Sequence, residues 1–378
     1  MIYLDNAATT WPKPESVYRA TDKALRSAAN PGRGGHRFSR SSAKLVLEGR
    51  ETVARFFGVR DSRQIIFTSG ATESLNTIIN GLIPRVKKIL SAGFEHNALW
   101  RPLENVARQG VVQVEYIDPM RQEGFDWSVY LKGLEGKPDL VTITHASNVT
   151  GQVFPLAEMV KLAKDGGALT CVDISQTAGV LSLNFEELNL DFAAFPGHKG
   201  LLGPPGIGGF YISPEAELVP QRLGGTGGNS VDAVPPEHLP ERYESGTINT
   251  PGVAGLAAGV SYLEQRGLRE GLEHELGLRN LAVSGLEALG AIVYGSGSTV
   301  GVLSFNLPGL DSAELAYILD ELYDISVRGG LHCCPQGHRS LGTLGPGTVR
   351  ISPGLFNSKE DIEKLLDALG QVSGQMAR

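Results

Sequence analysis

The chain has 378 residues, with 34 basic and 41 acidic side chains and a formal net charge of −7 at pH 7. This length predicts one large domain with a smaller partner, and the mildly acidic balance, without a basic stripe, excludes nucleic acid as a binding partner. No stretch approaches the roughly 18 apolar residues that span a bilayer, and the N-terminal residues lack a charged-then-apolar leader, so we expect a cytoplasmic protein without membrane contact.

Short apolar runs alternate with helical patterns from about residue 60 to about residue 215. This alternation is typical of a mostly parallel sheet covered by helices, and it predicts an α/β fold with seven strands in the large domain. Functional side chains of such a fold collect at the carboxyl ends of the strands. We expect strands at residues 65–68, 88–91, 112–117, 140–144, 168–174, 192–195 and 208–212, and helices that begin near Thr72, Asn97 and Leu156.

A proline-rich connection at residues 234–240 leads to a region of different pattern. Helical patterns at residues 253–264 and 269–289 precede a smaller α+β domain, in which Asp311 and Ser358, each with an acidic residue three positions later, predict two further helix starts. We place the large domain at residues 15–255 and the small domain at residues 256–378 with residues 1–14. Strands of the small domain are expected at residues 291–294, 300–306, 325–328 and 348–351.

Polar residues follow several of the predicted strands. Residues 69–73, Ser-Gly-Ala-Thr-Glu, open a helix, so their N–H groups and the Thr72 hydroxyl could hold a phosphate, although an ordinary strand-to-helix turn has the same pattern. His96 could stack on a flat heteroaromatic ring or simply cap a loop. Asn148 could donate to a cofactor oxygen or belong to a plain turn.

Asp173 and Lys199 make the strongest pair. Asp173 ends a very apolar run, where a carboxylate is costly unless it meets a cation or donor, although it could instead cap the next helix. Lys199 follows the next predicted strand, 26 residues later, before a glycine-rich segment. Such a lysine can form a Schiff base with pyridoxal phosphate while the acid keeps the pyridine nitrogen protonated. Gln176 could reach the same ring, and His198 could anchor its phosphate.

Three cysteines are too few for a disulfide framework. Cys333 and Cys334 lie in a glycine-rich segment near cationic groups, where a thiol can become a nucleophilic thiolate. Metal binding is the alternative, but a closed zinc site would have to recruit His332 and His338. Cys171 lies within a predicted buried strand and is assigned to core packing.

Two arginines frame the cysteine segment. Arg328 and Arg350 could each hold a substrate carboxylate through two parallel hydrogen bonds. Arg350 lies in an apolar strand, so a simple salt bridge is the competing interpretation.

With these motifs in this order, nearly the whole chain resembles the class V, fold-type I pyridoxal phosphate enzymes, specifically the cysteine desulfurases and selenocysteine lyases. The resemblance rests on residues 3–10, 33–36, 69–76, 243–249 and 328–333. It implies Lys199, Cys333 and His96 as catalytic residues and His36, Asn148, Arg328 and Arg350 as substrate contacts. The cofactor contacts that it implies are Ala71, Thr72, His96, Asn148, Asp173, Gln176, His198, Lys199 and Thr247.

The resemblance implies conversion of cysteine to alanine, with the sulfur held as a persulfide on Cys333 for an acceptor protein. The Gly-Thr loop around Thr247 crosses to the neighbouring subunit in this family, so a homodimer is implied. A selenocysteine lyase, another class V aminotransferase or epimerase, and a non-catalytic sulfur-relay scaffold are the alternatives. Two departures from the family pattern are Pro196, where the family commonly has serine, and Cys334 beside Cys333, which could resolve a persulfide or respond to oxidation.

Overall fold

The computed structural model describes residues 1–32, 34–121, 124–227 and 231–376. The helices are α1 (Glu15–Ser27), α2 (Arg37–Phe56), α3 (Ala71–Leu82), α4 (Asn97–Arg108), α5 (Trp127–Glu135), α6 (Leu156–Asp165), α7 (Thr250–Arg266), α8 (Leu268–Ala288), α9 (Ser312–Tyr323), α10 (Pro335–Ser340) and α11 (Lys359–Met376). The strands are β1 (Ile2–Tyr3), β2 (Ile65–Thr68), β3 (Lys88–Ala92), β4 (Gln113–Ile117), β5 (Met120–Arg121), β6 (Gly124–Phe125), β7 (Leu140–Thr144), β8 (Leu169–Asp173), β9 (Phe192–Pro196), β10 (Gly208–Ile212), β11 (Ile292–Tyr294), β12 (Leu303–Asn306), β13 (Ile325–Ser326), β14 (Arg328–Gly330) and β15 (Thr348–Ile351).

The large sheet has seven strands in the order β2-β10-β9-β8-β7-β3-β4. Only β10 runs antiparallel to its neighbours, β2 and β9, and the remaining pairs are parallel. Strands β7, β9 and β10 are buried along their whole length, which is why their sequences are mostly apolar instead of alternating with exposed polar residues. The predicted α/β fold with a mostly parallel seven-stranded sheet is confirmed.

A second, antiparallel sheet follows in the order β11-β12-β15-β14. Its separate apolar core includes Leu303, Phe305, Ile351 and Leu365. The N-terminal strand β1 joins this part of the molecule, because it pairs in parallel with β13. The predicted division at residues 255 and 256 stays a prediction.

Two predicted strands of the small domain differ from the observed ones. The stretch predicted at residues 325–328 is divided into β13 and β14, which belong to different sheets. The strand predicted from residue 300 begins only at Leu303, because Ser298 turns the preceding residues toward Gly151, whose carbonyl oxygen accepts its hydroxyl hydrogen. In the described part of the chain, no helix is both long and apolar enough to cross a bilayer.

Candidate active site

A cavity of ≈ 290 Å³ opens at the carboxyl ends of β7, β8 and β9, between the two sheets. Most of the side chains singled out in the sequence meet there, because parallel strands end at one edge. The predicted residues that line this cavity are Ala71, Thr72, His96, Asn148, Asp173, Gln176, His198, Lys199, Arg328 and Arg350.

Lys199 follows β9, and the N-terminal segment holds its backbone. Thr10 Oγ1 donates to Lys199 O at 3.1 Å, and Lys13 Nζ donates to His198 O at 2.9 Å. A Cβ at Gly200 would collide with the Ala178 carbonyl oxygen, so the turn after the lysine requires glycine. Burial lowers the pKa of Lys199 to about 8, although Asp173 opposes that shift. Roughly a tenth of this lysine is therefore a free amine at pH 7, far more than for a lysine of ordinary pKa.

Asp173 ends β8 inside the protein, with 4% of its surface exposed. Its Oδ1 accepts a hydrogen bond from Ser175 N at 2.9 Å. In the register of β7 and β8, Asp173 lies directly opposite Thr144, which also lines the cavity. Gln176 lies beside it and donates from Nε2 to Ala7 O at 3.2 Å.

His96 caps the N-terminus of α4 at one wall of the cavity. Its Nδ1 accepts the Ala98 N–H at 3.0 Å, so the ring hydrogen lies on Nε2. Burial, reinforced by Lys199, lowers the pKa of His96 to about 4. The ring is thus neutral, and its protonated nitrogen is the one that does not cap the helix.

The N-terminus of α3 differs from the other helix starts around the cavity, because no side chain caps it. The first N–H groups of this helix, at Ala71 and Thr72, border the cavity. Free N–H groups and the positive end of the helix dipole together favour an anion such as a phosphate. A side chain at Gly70 would occupy that open space, since nothing lies within 4 Å of a Cβ built there.

Arg350, on β15, is almost completely buried and already has partners. Its Nη2 lies 2.6 Å from Asp5 Oδ1, and its Nη1 donates to Asn148 O at 3.0 Å. The ion pair considered in the sequence is therefore present. Among the described residues, neither the buried Nε of Arg350 nor Oδ1 of Asn148 has a hydrogen-bond partner. Arg350 can therefore form the salt bridge and also bind a substrate carboxylate, because its Nε is an unused donor beside the cavity.

The cysteine segment docks against the large sheet. Asn97 N donates to Cys333 O at 2.7 Å, and Asn148 Nδ2 donates to His332 O at 2.6 Å. Cys333 is half-buried, and its Sγ lies 3.4 Å from Arg328 Nη2, a group that borders the cavity. Cys334 points the other way, because its Sγ contacts Phe94 O at 3.4 Å in the core.

The other thiols are in apolar surroundings. Burial raises the pKa of Cys334 to about 12 and raises the pKa of Cys171 well above its usual value. Cys333 is the partly exposed thiol of the three. The histidines of the zinc alternative are bound to hydroxyls, His332 to Thr348 and His338 to Thr343, and the described residues contain no group of three or more potential metal ligands.

Three of the predicted site residues are not among those that line the cavity in this subunit. Cys333 adjoins the cavity through Arg328, whose Nη2 lies 3.4 Å from its Sγ. His36 is exposed and caps α2, where its Nδ1 accepts Ser39 N at 3.3 Å. Thr247 lines a separate cavity of ≈ 150 Å³, which it shares with Ser69 and Glu73 on the outer side of the α3 turn. Arg33, in the motif that contains His36, lies outside the described residues.

The contacts of Asp5, Thr10 and Lys13 at the site were not predicted from the sequence. Asp5 carried a usable signal, because it follows an apolar strand just as Asp173 does. The contacts of Thr10 and Lys13 are with carbonyl oxygens more than 180 residues away, and nothing in the local pattern indicates them.

Comparison with known proteins agrees with this geometry. The family model described as Aminotransferase class-V matches residues 2–365. A probable cysteine desulfurase of Pyrococcus abyssi is 35% identical over 98% of this chain and 94% of its own length. One from Methanothermobacter thermautotrophicus is 34% identical over 99% and 95%.

Solved structures give the same result. The apo structure of a cysteine desulfurase from Thermococcus onnurineus has a TM-score of 0.92 and 36% identity, covering 99% of this chain and 95% of the other. The cysteine desulfurase CsdA of Escherichia coli has a TM-score of 0.88 and 29% identity, covering 99% and 94%.

Proposed function

The chain belongs to the class-V aminotransferase family, and we propose that it is a pyridoxal phosphate-dependent cysteine desulfurase that converts L-cysteine to L-alanine and holds the sulfur on Cys333. Its likeness to solved cysteine desulfurases extends over the whole chain, including both sheets. The three cysteines are free thiols, which suits the reducing cytoplasm in which we place the protein.

The cavity fits pyridoxal phosphate at each of the cofactor's polar groups. The uncapped start of α3, with Ala71 and Thr72, suits the phosphate, and His198 is the side chain next to it in our assignment. Asp173 and Gln176 suit the pyridine nitrogen and ring. Asn148, whose Nδ2 also donates to His332 O, is assigned to the phenolic oxygen, His96 to the ring face, and Lys199 to the aldehyde.

Pro196 lacks the hydroxyl that relatives commonly place before the Gly-His-Lys sequence. Phosphate binding in our assignment therefore depends on the helix N–H groups and on Thr247 of a second subunit. In this subunit Thr247 lines a separate cavity with Ser69 and Glu73 and does not line the one that holds Lys199. A groove of ≈ 630 Å³ beside that loop, lined by Leu47, Leu239 and Ile248, offers the apolar surface that a homodimer would cover.

The substrate carboxylate is assigned to Arg350, with Arg328 as the second cation beside it; the two residues are direct neighbours across β14 and β15. Asp5 and Asn148 O fix the guanidinium and leave its Nε free for the ligand. We retain His36 as a proposed substrate contact, which reaches the cavity either from its own loop or from the same loop of a second subunit.

When bound, pyridoxal phosphate supplies an aldehyde for the substrate amine and a ring that accepts the electrons released at the substrate Cα. Lys199 Nζ is the base for the Cα proton, because burial lowers its pKa to about 8, close to the pH at which the enzyme would work. His96 can donate the hydrogen on Nε2. Asp173 supplies the negative charge that favours a protonated ring nitrogen.

Cys333 then removes the sulfur. Its thiolate attacks the substrate sulfur, and a new S–S bond forms as the substrate C–S bond breaks. The carbon fragment keeps the electron pair of the broken bond and leaves as alanine after it is protonated. The arginine 3.4 Å from Sγ stabilises the attacking anion. The persulfide is then available to an acceptor protein.

The observation that carries this proposal is the contrast between the three cysteines. Cys333 is partly exposed beside Arg328 at the cavity, whereas Cys334, its neighbour in sequence, is buried against Phe94. An aminotransferase or epimerase would have no use for the exposed thiol.

The test compares Cys333→Ala with the matched control Cys334→Ala. After incubation with L-cysteine, wild type and the control should form alanine, and intact-mass spectrometry should find added sulfur on Cys333. The Cys333→Ala protein should keep its cofactor absorbance but give neither product. Undiminished alanine formation from cysteine in that variant would refute the persulfide role, and formation of a keto acid would favour a transaminase. Selenocysteine as the only productive substrate would identify a selenocysteine lyase.

A further inference from the structure

A second carboxyl group lies beneath the cavity, and the proposed mechanism does not use it. Glu95 follows β3 and has 1% of its surface exposed. Ser91 Oγ donates to its Oε1 at 3.0 Å, and Thr144 Oγ1 donates to its Oε2. Thr144 lines the cavity and lies opposite Asp173 in the sheet. Thr144 therefore hydrogen-bonds Glu95 and is the direct strand neighbour of Asp173.

The surroundings of Glu95 contain no compensating cation. The groups that act on it are Asp173 and the hydroxyls of Ser91, Thr142 and Thr144, and no salt bridge among the described residues includes it. The other titratable groups that face it from β4, β8, the α4 start and the cysteine segment are uncharged at neutral pH: burial raises the pKa of Tyr116, Cys171 and Cys334 and lowers that of His96.

Burial disfavours the charged form of Glu95, and the negative charge of Asp173 acts in the same direction. Asp173 borders the cavity and accepts the backbone N–H of Ser175. Glu95 has only hydroxyl partners. A hydroxyl can donate to a carboxylate or accept from a carboxylic acid, so Glu95 stays fully hydrogen-bonded in either state.

We propose that Glu95 is a positioning residue that acts through Asp173: as a neutral acid it leaves Asp173 the single negative charge at this end of the cavity, and its ionisation adds a second. This inference rests on the proposed function, in which Asp173 faces the cofactor ring. Glu95 thereby sets the pH range over which the ring site keeps one charge.

Burial raises the pKa of Glu95 from 4.5 to about 7. In the unfolded chain the group loses its proton near its ordinary value. Wild type should therefore lose stability, relative to Glu95→Gln, as pH rises from about 4.5 to about 7, and the difference should be constant above that. Glu275, whose pKa burial raises to about 8, titrates in both proteins and cancels in the difference.

The first experiment uses the protein without cofactor, so that it does not depend on activity. Thermal unfolding of wild type, Glu95→Gln and the exposed control Glu158→Gln is followed from about pH 4 to about pH 9. Only Glu95→Gln should show the sloping difference. A flat difference would overturn the inference. If Glu95→Gln does not fold, Ser91→Ala gives the same information: loss of a hydroxyl that favours the charged form should move the end of the slope to higher pH.

The second experiment adds pyridoxal phosphate and titrates its absorbance with pH. Wild type should show an inflection near pH 7 that Glu95→Gln lacks. Coincident titrations of the two loaded proteins would mean that Glu95 does not act on the ring site, which would refute its positioning role. Failure of the proposed function would look different, since wild type itself would then bind no cofactor or release no sulfur.

Discussion

Neutralising Glu244 should destabilise the protein strongly, because the residue forms a buried ion pair beside the Thr247 loop. Arg50 contacts both carboxylate oxygens, Nη1 to Oε1 at 2.6 Å and Nη2 to Oε2 at 2.7 Å. The two side chains are 4% and 3% exposed. Oε1 also accepts Phe67 N at 2.6 Å, so the pair joins α2, β2 and the loop.

The substitution Glu244→Gln keeps the shape of the side chain but leaves the Arg50 guanidinium charged, buried and without an anion. Removal of one partner from a buried pair costs about 3–5 kcal/mol. A matched control is Glu264→Gln, whose partner Arg55 lies at 3.0 Å but is 60% exposed. An exposed pair contributes no more than about 1 kcal/mol.

Urea unfolding followed by circular dichroism measures both differences, and cofactor retention measured by absorbance after dialysis reports on the adjoining loop. We expect the Glu244 variant to lose several times more unfolding free energy than the control. Equal, small losses from both variants would refute the argument that burial makes this pair indispensable.

Three further outcomes follow from the site. Arg350→Lys should raise the KM for cysteine at least about tenfold in steady-state assays, because lysine cannot keep the contacts to Asp5 and Asn148 O and also present the Nε–H assigned to the substrate carboxylate, and an equal change for cysteamine, which has no carboxylate, would contradict this. The rate at which the cofactor-free protein takes up pyridoxal phosphate should rise with pH through about 8 and then level, because free Lys199 amine increases over that range; a pH-independent rate would contradict the lowered pKa. Iodoacetamide should label Cys333 in the native protein and Cys171 and Cys334 only after unfolding, as peptide mass mapping would show; rapid labelling of all three would argue against their burial.

The large sheet was predictable because its strands carry their environment in their own sequence. Residues 65–68, 140–144 and 208–212 form strands with the predicted bounds, since strands covered on both faces must be apolar throughout. Helices α1 and α2 were not predicted. The apolar positions of these two helices are interrupted by polar residues, and both helices pack against α7, about 200 residues further along the chain.

The site was predictable where it follows the strand-end rule. Asp173, Lys199 and His96 meet in one cavity because each directly follows a strand of the same sheet. The partner of Arg350 was not, because Asp5 is 345 residues away and the contact depends on β1 pairing with β13. The raised pKa of Glu95 likewise depends first on its burial in the folded protein, which no local pattern encodes.

The contacts of the N-terminal segment also affect the order in which the site can form during synthesis. Asp5 and Asn6 are made long before Arg350 and Ser352, with which they hydrogen-bond across 345 and 346 residues. Lys199 is also made before the small sheet, so the N-terminal segment that contacts it cannot yet be held in place. A nascent chain that already contains Lys199 still lacks Arg328 and Arg350, so the cavity lining is complete only after the small sheet has been made.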